Sequence, residues 1–445
     1  MWGFKNTTAF LSLAAVLALA GCDEQEPILT GERLNVRDVL ETRSDPLDVV
    51  PENSARAISL GAQSSNANWP QSGVSPFARV DHAAYSGGFS PVWSQPIGAG
   101  DAKRNRLNVD PIVADGRVFT VSADHRVQAT STSGEVLWSY DLTPQRDDPK
   151  QGQGGGLAHA AGRLFVASGF GTLTALDPAS GAEIWTQRLG ASATGKPSAR
   201  DGLVYVVSGD QTGWAVEADS GRIRWQVEGV ADVNNVAGGP APAISDKYVI
   251  FSFGTATLQS AFRQGGLRLW NADILGRRNG VAVAGVDDLT GDPVIAGDTV
   301  YAGNHSGRFV AFDLADGERR WTARQGALGP AWPAGDSVFF VSDRNQLVRL
   351  DRTSGAQIWA VDLPGYEPKR KPNRRRDASF ANHGPILAGG QLIVASSDGY
   401  LRAFSAEDGS LVRSAEIPGG ATTRAVVAGG TLYVVSRKGV LHAFR

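Results

Sequence analysis

One nucleophilic side chain in the sequence stands in a context that gives it a chemical role. Cys22 is the only cysteine among the 445 residues, and it closely follows the apolar run of residues 9–20, which has a single cation, Lys5, ahead of it. Such a run is too short to span a bilayer core of about 30 Å, and its flanks are those of a secretion signal. We therefore predict a signal peptide over residues 1–21 and attachment of a lipid to the thiol of Cys22.

The residues around this cysteine resemble the lipobox of bacterial lipoproteins. Leu19, Ala20 and Gly21 precede Cys22, and the resemblance implies that a peptidase cleaves before the cysteine and that its thiol carries a diacylglycerol. Burial of acyl chains contributes about 0.8 kcal/mol per CH₂, so several chains on one residue would hold the mature protein at a membrane. Asp23, the next residue, resembles an inner-membrane retention signal of enteric bacteria.

No other set of reactive side chains has the spacing of a catalytic or metal site. The six histidines are scattered, and none has a helical or Cys-x-x-Cys neighbour that would complete a metal site. The glycine run 154–156 is not followed by Lys-Ser or Lys-Thr, so it is not a phosphate-binding loop. We expect no catalytic residue, no metal and no cofactor. The histidines are His82, His125, His159, His305, His383 and His442.

The composition indicates an all-β protein with many turns. Hydrophobic residues make up 42% of the chain, which also has 54 Gly and 22 Pro. The net charge of −2 argues against a nucleic-acid partner, because phosphate binding relies on clustered, uncompensated Lys and Arg. The densest charge feature is KRKPNRRR at residues 369–376. It is interpreted either as a solvated loop or as a contact with acidic protein or anionic lipid.

A repeat that starts near Asp110 must position any functional loop. Each unit has a turn, an alternating apolar run, a polar turn, a second run and a Gly turn leading to Trp, as in residues 161–185 and 201–225. The residue thirteen positions after the first turn is Ala in six of eight units, a small residue that would suit the closest approach of neighbouring sheets. Runs rich in β-branched and aromatic residues indicate strands joined by hairpins. The turn positions are Gly116, Gly162, Gly202, Lys247, Asp298, Asp336, Gly390 and Gly430.

Eight such units predict an eight-bladed β-propeller with four-stranded antiparallel blades. The eighth unit stops at Arg445 without its outer strand, while residues 91–95 have a strand pattern that includes Trp93. We therefore expect the N-terminal strand to close the last blade, which removes an open edge. This assigns residues 86–445 to the propeller and residues 22–85 to a lipidated, largely irregular tether. An open solenoid is the alternative.

The Gly-x-x-x-Trp ending, as at residues 181–185 and 355–359, resembles the repeat of pyrroloquinoline-quinone (PQQ) propellers. With the lipobox and the stretch 396–412, the chain is similar to BamB-type lipoproteins of the β-barrel assembly machinery (the BAM complex), which carry the repeat without the cofactor. The resemblance implies a non-enzymatic scaffold at the periplasmic face of the outer membrane. It also implies binding to BamA and other subunits of that machinery, with unfolded barrel precursors as further partners. Asp23 keeps the inner membrane as the alternative location.

The resemblance places BamA binding on the loops after the third and fourth Trp-ending strands, residues 230–239 and 276–292. In the first loop this chain departs from the leucine-rich stretch of the family, whereas the second keeps an acidic pair. A plain surface turn is the other interpretation, because Asn and Asp favour turns on their own account. The candidate partner-binding residues are Val233, Asn234, Asn235, Val236, Asp287 and Asp288.

The same repeat occurs in quinoprotein dehydrogenases, so a periplasmic PQQ-dependent dehydrogenase is the alternative function. A quinone site needs a cation with oxygen ligands to polarise the carbonyl and a carboxylate base to take the substrate proton. Those enzymes are typically longer and often carry a vicinal cysteine pair or a haem-binding Cys-x-x-Cys-His, neither of which this sequence contains. A propeller lipoprotein of another envelope complex is a third hypothesis.

Overall fold

The computed structural model describes residues 51–445 apart from residues 194, 231–238, 277–288, 290, 372–373 and 375–377. Thirty-two strands form eight antiparallel sheets of four strands each, arranged as an eight-bladed β-propeller. The fold predicted from the repeat is confirmed. In this described part of the chain, no helix is long and apolar enough to cross a membrane.

In the first four blades the strands follow one another in chain order from the central channel outward. Blade 1 contains β2 (Ile112–Ala114), β3 (Arg117–Val121), β4 (Arg126–Ser131) and β5 (Val136–Asp141). Blade 2 contains β6 (Gly155–Ala160), β7 (Arg163–Ser168), β8 (Thr172–Leu176) and β9 (Glu183–Arg188). Blade 3 contains β10 (Ser198–Arg200), β11 (Leu203–Val207), β12 (Thr212–Glu217) and β13 (Ile223–Glu228). Blade 4 contains β14 (Ala243–Ile244), β15 (Tyr248–Phe253), β16 (Thr257–Phe262) and β17 (Arg268–Asp273).

The other four blades keep this pattern, except that the last one borrows a strand. Blade 5 contains β18 (Val294–Ala296), β19 (Thr299–Gly303), β20 (Phe309–Asp313) and β21 (Arg319–Ala323). Blade 6 contains β22 (Trp332–Ala334), β23 (Ser337–Val341), β24 (Gln346–Asp351) and β25 (Gln357–Asp362). Blade 7 contains β26 (Asn382–Ala388), β27 (Gln391–Ser396), β28 (Tyr400–Ser405) and β29 (Leu411–Glu416). Blade 8 contains β30 (Val426–Ala428), β31 (Thr431–Ser436), β32 (Val440–Phe444) and β1 (Pro91–Pro96).

The N-terminal strand β1 is the outermost strand of blade 8, as the sequence predicts. It runs antiparallel to β32, with Trp93 opposite Ala443 and Gln95 opposite Leu441. Next to this ladder, Ser90 and Arg445 exchange backbone hydrogen bonds of 2.6 and 2.9 Å. The two ends of the propeller are thereby joined in one sheet, in which β1 forms the outer edge of blade 8.

A tryptophan on the outermost strand of seven blades ties each blade to the next. Its indole Nε1 donates a hydrogen bond of 3.0 or 3.1 Å to a backbone carbonyl of the following blade. In blade 7 this position is Arg413, whose guanidinium donates to the carbonyl of Gly87 at 2.9 Å. The tryptophans and their acceptors are Trp93 with Thr132, Trp138 with Pro178, Trp185 with Ala218, Trp225 with Arg263, Trp270 with Leu314, Trp321 with Arg352 and Trp359 with Glu407.

The residue thirteen positions after each turn lies opposite that tryptophan on the third strand, as Ala175 lies opposite Trp185. It is Arg349 in blade 6, whose side chain is fully buried. Its guanidinium donates to the carbonyl oxygens of Arg56 at 2.6 Å and Glu407 at 3.0 Å. Arg349 therefore links blade 6 to blade 7 and to the segment that precedes the propeller.

Residues 64–85, which we name the plug, close the channel at the end where the turn positions lie. The plug forms a hydrogen bond to the innermost strand of every blade, and in seven blades its partner is the residue three positions before the turn. Its backbone is irregular, with isolated bridges at Ser64, Trp69 and Ala83. The pairs, from blade 8 to blade 7, are Asn66 with Val427, Trp69 with Val113, Pro70 with His159, Gln71 with Ala199, Ser75 with Ile244, Val74 with Ile295, Asp81 with Trp332 and Ala83 with Leu387.

Candidate functional site

The channel opens at the end opposite the plug, which we name the mouth. Here the loops that connect each outermost strand to the next blade meet the hairpins between second and third strands. Together they line a cavity of about 390 Å³. Its wall includes Gln211, Phe253, Leu328 and Asn382, contributed by blades 3 to 7. A cavity of this volume lies within the usual size range of ligand-binding clefts.

The partner-binding loops predicted from the sequence begin and end at this mouth. Gly239 and Leu289, which border the two loops, line the cavity. The six named candidates, Val233, Asn234, Asn235, Val236, Asp287 and Asp288, lie outside the described residues, as does Cys22. Their assignment to partner binding and lipidation stays a prediction.

Four consecutive mouth loops each expose one large apolar side chain. Val230 follows β13, Leu275 follows β17, Leu328 follows β21 and Tyr366 follows β25, with exposed fractions of 67%, 59%, 40% and 58%. We name these four residues the apolar half of the mouth. Side chains of this kind on adjacent loops are typical of protein-interaction surfaces, where a continuous apolar patch can be buried. Two of these four loops, those after β13 and β17, are the loops that the family resemblance assigns to partner binding.

Between the cavity and the plug lies a cluster of four charged residues, which we name the quartet. The Arg424 guanidinium contacts the carboxylates of Asp110 at 2.6 Å and Asp292 at 3.2 Å. The ammonium of Lys196 lies 3.1 Å from Asp292 and 3.6 Å from Asp110. The plug touches the quartet through the hydroxyl of Ser72, which donates to Asp292 at 3.2 Å. Two acids and two bases thus form a neutral network at the floor of the cavity.

The quartet holds both carboxylates in their charged form. Burial alone would raise the pKa of Asp110, but the positive charges of Arg424 and Lys196 outweigh burial and place that pKa well below its usual range. The same opposition lowers the pKa of Asp292, which also accepts a hydrogen bond from the backbone N–H of Ala241 at 3.0 Å. Despite its burial, the pKa of Arg424 is raised by the two carboxylates. Asp110, Asp292 and Arg424 therefore stay charged at neutral pH.

The quartet was not predicted, although the repeat contains a signal for it. Each member lies six residues before a turn position, in blades 1, 3, 5 and 8. An inward-facing position that is charged in four repeats, with two residues of each sign, indicates ion pairing across the channel axis. The other four blades carry uncharged residues there, namely Gly156, Ala241, Pro330 and Gly384.

His383 lies on the cavity wall beside the quartet. Burial, together with the cations Arg424 and Lys196, outweighs the opposite influence of Asp110 and lowers the pKa of His383 from 6.5 to about 4. The imidazole is therefore neutral at neutral pH. Its Nε2 atom is buried and has no hydrogen-bond partner among the described residues.

The residues of this channel do not fit a quinone centre with its cation. A hard cation needs several carboxylate or carbonyl oxygens that are not already compensated. The channel carboxylates Asp110 and Asp292 are instead occupied by Arg424 and Lys196. Within the described ranges, no three His, Cys, Asp or Glu side chains are grouped as metal ligands would be.

Comparison with known proteins places this propeller among outer-membrane assembly factors. The profile of the family described as outer membrane protein assembly factor BamB matches residues 86–149 and 131–361. The BamB protein of Moranella endobia is 23% identical over 359 residues, which cover 79% of this chain and 89% of the relative. The BamB protein of Escherichia coli is 22% identical over 83% of this chain and 91% of its own length.

Solved structures share the fold at lower sequence identity. The crystal structure of BamB from Moraxella catarrhalis superimposes with a TM-score of 0.66 and 18% identity, covering 80% of this chain and 99% of that structure. Quinohemoprotein alcohol dehydrogenase from Comamonas testosteroni superimposes with a TM-score of 0.63 and 16% identity, covering 85% of this chain and 80% of that enzyme. These two likenesses establish the propeller fold alone. The match to the family profile covers more than half of the sequence, and the chain belongs to the family of outer membrane protein assembly factor BamB.

Proposed function

We propose that this protein is a non-enzymatic scaffold of the outer-membrane β-barrel assembly complex, and that it docks BamA at the mouth of the propeller. Cys22 anchors it to the periplasmic face of the outer membrane through its lipid. The observation that carries the proposal is the row of apolar side chains on four adjacent mouth loops, two of which are the loops that the family resemblance assigns to BamA. Membership of the BamB family supports the wider role in barrel assembly.

The geometry favours docking over catalysis. The channel carboxylates that could act as acids or bases, Asp110 and Asp292, are committed to Arg424 and Lys196 at distances of 2.6 to 3.6 Å. A PQQ-dependent dehydrogenase would need one such carboxylate as a base and others as cation ligands. Reconstitution with PQQ and calcium, followed by a dye-linked assay, tests this alternative, and turnover would contradict the scaffold function.

The direct test is copurification of the tagged full-length lipoprotein with its partners from envelope membranes in mild detergent. The test variant replaces three residues of the apolar half, Leu275→Ser, Leu328→Ser and Tyr366→Ser. We expect recovery of BamA to fall on the order of tenfold, because a tenfold loss of affinity needs only about 1.4 kcal/mol in total from the three truncated apolar contacts.

A matched control variant carries Ile184→Ser, Ile223→Ser and Leu411→Ser, three residues on outer strands with similar exposure. It should retain BamA. Equal recovery of BamA with the test variant and the wild-type protein would place the docking surface elsewhere. A wild-type preparation that brings down a cytochrome and no BamA would contradict the proposed function altogether.

A further inference from the structure

Two loops and one hairpin of the mouth, between blade 6 and blade 1, carry six exposed cations. Lys103 and Arg104 lie on the loop from blade 8 to blade 1, and Arg437 and Lys438 on the β31–β32 hairpin. Arg370 and Lys371 lie on the loop from blade 6 to blade 7. We name these six residues the cationic half of the mouth. Among the described residues, no carboxylate forms a salt bridge with any of them.

Contacts between the three elements bring these cations together on one surface. The backbone N–H of Asp101 donates to the carbonyl of Arg437 at 2.8 Å, which joins the first loop to the hairpin. The pKa of Glu367 is lowered by the hydrogen bond from Lys369 and also by the charges of Lys369 and Arg437, so the blade 6 to blade 7 loop lies beside the hairpin. Three segments that are distant in sequence therefore form one positive patch.

The positive patch contrasts with the charge of the whole molecule. The chain has a net charge of −2, whereas residues 363–381 alone carry six cations against the acids Glu367 and Asp377. Like charges held at one edge of a cavity repel one another unless an anion neutralises them. An arrangement that concentrates positive charge on one side of the mouth fits a partner that brings negative charge to that side.

We propose that the cationic half of the mouth binds an acidic segment of the same protein partner that docks on the apolar half. This inference rests on the proposed function, because it assigns the chemistry of the second contact on the docking surface. The partner would therefore present apolar side chains next to a run of Asp and Glu. Paired charges at the edge of an interface accelerate association and fix its orientation.

The neighbouring apolar side chains favour an acidic protein over an anionic lipid surface. Tyr366, which is 58% exposed, lies on the same loop as Arg370 and Lys371. A protein segment can fill both contacts at once, because it can present apolar side chains next to carboxylates.

Two double variants and a matched control test the inference. Lys103→Glu with Arg104→Glu, and Arg370→Glu with Lys371→Glu, each reverse two charges of the cationic half. The control, Arg222→Glu with Lys247→Glu, reverses two exposed charges at the plug end. The probe is labelled poly-L-glutamate, and its affinity for the purified full-length protein is measured by fluorescence anisotropy at low and physiological salt. We expect on the order of tenfold weaker binding for each mouth variant, unchanged binding for the control, and weaker binding of the wild type at higher salt.

Equal affinity of the wild type and both mouth variants for poly-L-glutamate would overturn the inference. So would tighter binding of the Cys22→Ser chain to phosphatidylglycerol-containing vesicles than to poly-L-glutamate, since the surface would then recognise lipid. Copurification of BamA separates this inference from the proposed function. If the apolar variant loses BamA and the mouth charge variants keep it, the acidic contact is wrong and the scaffold function stands. If all variants keep BamA, neither half of the mouth binds it, and both the acidic contact and the docking surface proposed above are wrong.

Discussion

The indole nitrogen of Trp332 donates a hydrogen bond to the carbonyl oxygen of Asp81 at 3.0 Å. Trp332 belongs to blade 6, the one blade in which the residue three positions before the turn offers the plug no backbone N–H. The residue three positions before the turn is Pro333 in this blade, and proline has no amide hydrogen. Trp332 also stacks on Trp69 of the plug, with ring centroids 5.9 Å apart and planes 22° apart. The Trp332 side chain thus holds the plug at two points, Asp81 and Trp69.

Removal of the Trp69 side chain should destabilise the protein strongly. The residue is 4% exposed, and Trp69→Ala would leave a cavity between the plug and Trp332, so we expect a loss of about 3–5 kcal/mol in the free energy of unfolding. Urea denaturation followed by tryptophan fluorescence measures it. The control Phe77→Ala removes a plug side chain that is 41% exposed and should change the free energy by less than about 1 kcal/mol. Similar losses for the two variants would mean that the plug is not packed as described.

Two glycine substitutions should separate the cross-blade contact from backbone strain. Gly162 and Gly221 have φ of +68° and +70°, so Ala at either position costs about 1 kcal/mol. A Cβ at Gly162 meets nothing within 4 Å, whereas at Gly221 it would lie 2.7 Å from the ring of Trp185. We expect Gly221→Ala to be less stable than Gly162→Ala by a further 1–3 kcal/mol or so in thermal or urea unfolding. Equal stability would show that neighbouring blades do not press on this ring.

Removal of one member of the quartet should destabilise the protein more than would be expected from replacement of an oppositely charged pair by apolar residues. Arg424→Met leaves Asp110 and Asp292 partly uncompensated at the channel floor, and loss of one partner from a buried ionic network typically costs about 3–5 kcal/mol. The combined variant Arg424→Met with Asp110→Leu should lose less than the sum of its single variants in a double-mutant cycle. The exposed Arg437→Met serves as the control. Additive losses would indicate that the two residues do not interact.

Acid should destabilise the protein through His383. Its pKa is about 4 in the folded state and near 6.5 in the unfolded chain, so between these values the unfolded chain binds more protons. Stability is therefore fully present above pH 6.5 and falls as the pH decreases towards 4. Burial also lowers the pKa values of His159 and His442, which act in the same direction. Urea unfolding between pH 7 and pH 4 should give a shallower pH dependence for His383→Gln, and an unchanged slope would refute this assignment.

The sequence was sufficient to predict the propeller because the repeat is local. The spacing from each turn to its tryptophan defines the strands, and a missing outer strand after Ala443 pointed to β1 as its replacement. Each tryptophan that ends a repeat lies between two blades and donates to the following one. The spacing of the tryptophans could not predict which carbonyl accepts the hydrogen bond of each indole, because that carbonyl belongs to the next repeat.

The plug and the quartet were missed for a different reason. Their contacts join residues that are far apart in the chain, such as Arg424 and Asp110, which are separated by 314 positions. The plug contains no sequence repeat. Its polar residues were interpreted as part of a tether, because their partners are backbone groups of strands and leave no signal in the sequence. The sequence contained one signal for the quartet, namely that all four residues lie six positions before a turn position.

The plug also makes completion of the fold depend on residues near the end of the chain. Residues 64–85 leave the ribosome before any blade does, yet their partners extend to Val427, near the end of the chain. Strand β1 waits equally long for β32. An unfinished chain thus has neither its final plug nor its closed ring, and both form only when the last twenty or so residues are available. A chain that ended before Val427 would leave both Asn66 of the plug and strand β1 without their partners.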